Sequence, residues 1–60
     1  MVEVRVAGIN PNAFSGEGNR RFLNRIGEIV GVSGQFVKVH FNDVNDHYDH
    51  LFLPNELKQF

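Results

Sequence analysis

Two short stretches concentrate the side chains that could do chemistry. The first, "NRRFLNR" (residues 19–25), sets Arg20, Arg21 and Arg25 around Phe22 and holds three of the chain's six Lys and Arg residues. Guanidinium forks pair bidentately with carboxylates or phosphates, and an aromatic ring among them can stack on a base or fill a partner's pocket. Such a group could neutralise about three phosphates, enough for weak, salt-sensitive contact. The opposing reading is that Phe22 and Leu23 pin the segment to a core while the arginines are only solvated. The second stretch, "DHYDH" (residues 46–50), offers two imidazoles and two carboxylates. His47 and His50 are its metal-ligand candidates, but a closed site usually needs about four placed ligands. Asn- and Asp-rich turns produce the same residues for turn chemistry alone, so no metal is expected. A third group, Phe36 and Lys38 with His40, makes a contact stripe if one strand turns all of them outward.

Catalysis has no comparable constellation. Ser15 and Ser33 sit in Gly-containing turns without the Gly-x-Ser-x-Gly elbow of a nucleophile. "GEG" at residues 16–18 lacks the Lys-Ser/Thr of a phosphate loop. A chain of 60 residues also leaves little volume for a water-excluding pocket. Neither enzyme activity nor a cofactor is expected. Seven acidic against six basic residues leave a net charge of −1, so no global field draws the molecule to nucleic acid or membrane. With no cysteine, neither a disulfide nor a thiolate site can staple one small domain spanning residues 1–60. No apolar run approaches the roughly 20 residues of a membrane span. The opening "MVEVRVAG" alternates where a signal peptide would be continuously apolar. These features predict a soluble, intracellular protein.

The elements that must position these groups are short. "VEVRV" (residues 2–6) alternates valines with Glu3 and Arg5, the period of a half-buried strand. Gly8, Asn10, Pro11 and Asn12 end it, and "SGEGN" prolongs a long loop. "RRFLNRIGEIVGV" carries Phe22, Leu23, Ile26, Ile29 and Val30 at helical spacing, with Asn19 where an N-cap would stand. Gly27, Gly31 and the β-branched cluster oppose a full helix. A helical turn at 19–24 at most, then a strand over 25–32, is the better reading. "SG" at residues 33–34 marks a hairpin. "QFVKVHF" follows as the clearest strand, with Val37, Val39 and Phe41 inward and Phe36, Lys38 and His40 outward. "HLFLP" returns as a strand that Pro54 must end, "PNEL" fits a 3₁₀ turn, and "KQF" a last short strand. So apolar a terminal stretch should be tied in. Pairing it with "VEVRV" would curl the sheet shut, with Leu57 and Phe60 filling it.

This order, an all-β five-stranded barrel with a long loop after the first strand and a 3₁₀ turn before the last, resembles the SH3-like barrels. Gly27-x-Ile29-x-x-Val32, Val37-x-Val39-x-Phe41-x-x-Val44-Asn45 and Phe52-x-x-x-Glu56-Leu57 look most like the photosystem I subunit IV (E subunit) family, over about half the chain. The same skeleton is similar to the KOW-type barrels of transcription and ribosomal proteins. "LFLPNEL" also looks like signalling SH3 domains. However, the chain has no tryptophan and carries Leu57 where their groove tyrosine would sit. The subunit IV resemblance implies a peripheral adaptor that helps an acidic electron-carrier protein to dock. A barrel encoded by a virus to occupy a host protein would carry the same features. The expectation is therefore a non-catalytic docking module. It would use Arg20, Arg21, Phe22 and Arg25, with Phe36 and Lys38, against an acidic protein surface. The KOW resemblance implies the alternative, nucleic-acid binding with the arginines on phosphates and Phe22 on a base.

Overall fold

The computed structural model describes residues 2–42 and 48–59. Its strands are β1 (Glu3–Val6), β2 (Ile26–Ser33), β3 (Phe36–His40), β4 (Asp49–Phe52) and β5 (Leu57–Gln59). Two 3₁₀ segments accompany them, η1 (Gly16–Phe22) in the long loop and η2 (Pro54–Glu56) before β5. All pairings are antiparallel, in the order β4-β3-β2-β1-β5. The first strand and the last are neighbours, as the apolar terminal stretch demands, with Val6 opposite Leu57 and Val4 opposite Gln59. The Ala7 and Gly8 amides prolong that pairing by donating to the Glu56 carbonyl at 2.8 and 3.3 Å.

Alternation sets the faces. Val4 and Val6 are buried and Glu3 and Arg5 turn away from them; Val39 is buried and Lys38 exposed. The core gathers Val4, Val6, Phe22, Val39, Phe41 and Phe52, with Ile29, Val37 and Leu57 packed against it. Leu57 thus faces the interior as expected, whereas Phe60 lies outside the described residues. Gly27 is where β2 crosses this core most closely. A Cβ there would stand 2.6 Å from Val39 Cγ1 and 2.9 Å from both the His40 carbonyl oxygen and Phe41 Cδ1, so only glycine fits. Between Ile29 and Gly31 the β2–β3 register slips, a bulge that bends this long strand. Ser33 pairs with Phe36 around Gly34–Gln35. The φ of +60° at Gly34 is the glycine-favouring first position of a type II′ hairpin turn.

The long loop departs most from expectation. Its helical turn begins at Gly16 rather than 19 and stops at Phe22. Asn19 does not cap it: the residue is 1% exposed and its amide points into the molecule. Asn19 Nδ2 donates to the carbonyl of Leu51 at 3.3 Å, which ties η1 at that point to β4, an end strand of the sheet. Asn24 takes a left-handed φ of 68°, which Asn tolerates better than most residues. There the chain turns into β2, and the Asn24 amide donates to the Val6 carbonyl at 2.8 Å.

Candidate functional site

A buried carboxylate holds the candidate site in place. Glu56 is fully buried. Its oxygens accept from the Leu53 amide at 2.8 Å and the Asn10 amide at 3.1 Å, with Asn19 Nδ2 at 3.4 Å from each oxygen. The Leu53 contact is half of a capping box, the third residue of η2 reaching back to the residue before it. The Asn10 and Asn19 contacts clamp both limbs of the long loop to η2, 46 and 37 residues apart in sequence. Asn19 Oδ1 is buried without a hydrogen-bond partner.

On this clamp stands an aromatic stack. Phe22 and Phe41 lie parallel, 4.8 Å between centroids and 2° between planes. Phe52 meets both edge-on at 5.8 and 5.9 Å. The His50 ring sits 4.4 Å from Phe22, so this metal-ligand candidate packs within the aromatic group. His47 lies outside the described residues. Phe22 is only 5% exposed, so its ring is an anchor rather than a surface for a base. Above it the Arg21 guanidinium lies 4.7 Å from the ring centroid. That of Arg25 lies 5.4 Å from Phe41 and 5.9 Å from Phe22. Arg21 and Arg20 are exposed and Arg25 half-buried. Arg20 makes a loose ion pair with Glu17 at 3.7 Å, an exposed contact worth little.

The structure therefore joins Arg21, Phe22 and Arg25 into one unit with Arg20 at its margin. Phe36 and Lys38 belong to the sheet, and Phe36 meets the loop through Phe14, whose ring is edge-on at 6.0 Å. Phe14 is 71% exposed, and nothing in the aperiodic "NPNAFSG" marks it in the sequence. Asn19 and Glu56 also escape sequence reading, since only tertiary contact turns them inward. His40, the third member of the stripe, bonds through Nδ1 to Asp49 Oδ1 at 3.1 Å on the outer face.

Among the described residues no group of His, Cys, Asp or Glu is arranged to hold a metal ion, and no helix is long and apolar enough to cross a membrane. The fold and site define a small all-β domain with one five-stranded antiparallel sheet and a clamped basic turn. Comparison with known protein families, curated proteins and solved structures finds no match for this chain.

Proposed function

We propose that the chain is a non-catalytic docking module whose basic turn engages an acidic protein surface. The observation that carries this reading is the Arg21 guanidinium held 4.7 Å above a core-anchored ring. A cation fixed in this way loses less rotamer freedom on binding than a solvated one, while its charge still faces outward. Arg20 and Arg25 enlarge the positive patch, and Phe22 supports it from below. Phe36 and Lys38, with Phe14, form a second contact area on the sheet side of the loop. The subunit IV-like pattern of the sequence favours the same reading, a peripheral adaptor for an acidic carrier protein. The KOW-like alternative asks Phe22 to stack on a base. Its burial between Phe41 and Arg21 leaves that reading with phosphate contacts alone.

An amide NMR titration at low salt with a glutamate-rich peptide, and separately with a single-stranded oligonucleotide, tests the proposal. The peptide should shift the amides of residues 20–25, and Arg20→Ala/Arg21→Ala should abolish that response. Stronger binding of the oligonucleotide, lost with the same variant and with rising salt, would replace this reading by the nucleic-acid one.

A further inference from the structure

The long loop turns on a three-residue period from Asn10 to Phe22. The Ala13 amide donates to the Asn10 carbonyl at 3.0 Å and the Gly16 amide to the Ala13 carbonyl at 2.8 Å, and η1 continues to Phe22. Gly16, at a φ of 54°, joins the two parts. Turns closed in this way bring every third residue to one side. Ala13, Asn19 and Phe22 are accordingly buried, and the Asn10 amide is bound to Glu56. Phe14, Glu17 and Arg20 follow at the same interval and form an outward row. All three are exposed, and Glu17 meets Arg20 across one turn at 3.7 Å. The row is aromatic at one end, where Phe36 backs the 71% exposed Phe14 edge-on, and cationic at the other.

The length of the row follows from two measures. Six residues at the 3₁₀ rise span about 12 Å. On the sheet, Phe14 meets Phe36, while Asn19, next to Arg20, meets Leu51, which stands opposite Lys38. Phe36 and Lys38 are two residues apart on β3, about 7 Å. Phe14 and Arg20 therefore stand about 7–12 Å apart, the length of two to four residues of extended chain. The Glu56 clamp holds Asn10 and Asn19, one on either side of Phe14 in the chain, so this separation is set before a partner arrives and less ordering is lost on binding. We infer that the row recognises an extended acidic segment carrying an aromatic or large aliphatic side chain about three residues from its carboxylates. The apolar group packs on Phe14 against Phe36, and the carboxylates meet Arg20 and Arg21. Charge complementarity fixes the acidic end, and Glu17 between the two ends disfavours a carboxylate within the spacer. This partner class rests on the docking reading above and narrows it.

Fluorescence anisotropy at low salt with labelled peptides tests this. Each peptide joins a run of glutamates through a stiff proline spacer, about 3.1 Å per residue, to a phenylalanine or, as control, to a serine. Both chain directions are made. With three prolines, the phenylalanine peptide of one direction should bind roughly 2–12-fold tighter than its serine control, the range of an aromatic contact. With nine prolines, about 28 Å, that gain should vanish. On Phe14→Ser the phenylalanine and serine peptides should bind alike. No gain at three prolines, an equal gain at both spacings, or a gain that survives Phe14→Ser would each overturn the inference and leave the docking reading standing. A serine control that Arg20→Ala/Arg21→Ala fails to weaken would sink the docking reading, and this partner class with it.

Discussion

Removing the Glu56 carboxylate should damage this protein more than any exposed charge could. In Glu56→Ala the Leu53 and Asn10 amides, which donate to it at 2.8 and 3.1 Å, lose their acceptor, and the Asn19 amide loses its neighbour. Bonds to a charged acceptor are worth about 1.5–3 kcal/mol each, so two short ones amount to roughly 3–6 kcal/mol. A domain of this length has a total stability of about 3–9 kcal/mol, so Glu56→Ala should be largely unfolded or close to it. Glu56→Gln separates charge and acceptor from mere volume. Its carbonyl oxygen can still accept from Leu53, but its amide nitrogen then faces the Asn10 and Asn19 donors. Rotating the Asn19 amide would bring its unpartnered Oδ1 to the new donor, but at the cost of the 3.3 Å bond to the Leu51 carbonyl. Either way one buried group is left without a partner, a loss of about 1–3 kcal/mol. Urea denaturation followed by circular dichroism measures both variants. A Gln variant within about 0.5 kcal/mol of wild type, the range of ordinary surface changes, would refute the claim that this carboxylate clamps the loop.

The remaining expectations address the core and its periphery. Gly27→Ala should destabilise by about 1–3 kcal/mol, because backbone and packed rings surround its Cβ position and overpacking strains a core; the denaturant midpoint reports it. Phe22→Ala should lose about 3–5 kcal/mol, and Phe22→Leu distinctly less. Gly34→Ala should weaken the hairpin by about 1 kcal/mol, since φ there is +60° and a Cβ resists that conformation. Phe14→Ser, by contrast, should leave thermal stability within about 0.5 kcal/mol because the ring is mostly exposed. If Phe14 belongs to the contact surface, the same variant should weaken partner binding.

Valine alternation in β1, the outward Phe36 and Lys38 and inward Val37 and Val39 of β3, and the Pro54 stop were all legible in the chain. Each depends on period-2 geometry or on a missing backbone donor, properties that near neighbours in sequence share. The pairing of the two ends was legible too, because an apolar terminus needs a partner and β1 offered an edge. The concentration of basic charge at residues 20–25 could be read directly, and the rival idea that Phe22 pins it was also on hand. Sequence could not choose between a ring that contacts a partner and a ring that anchors, because Phe22 is equally suited to both. Its burial is decided by Phe41 and Phe52, 19 and 30 residues downstream.

Local rules failed where a polar residue found a distant partner. Asn19 looks like a helix cap because caps are where Asn normally satisfies a backbone donor. In the folded chain its amide nitrogen instead lies 3.4 Å from the oxygens of a fully buried glutamate across the fold, and the helical turn begins at Gly16. Composition, strand order and turn chemistry are written in short-range patterns and need only the chain. Which rings form the floor beneath the arginines, and which carboxylate ties the loop down, depends on contacts made only when segments far apart in sequence close on one another.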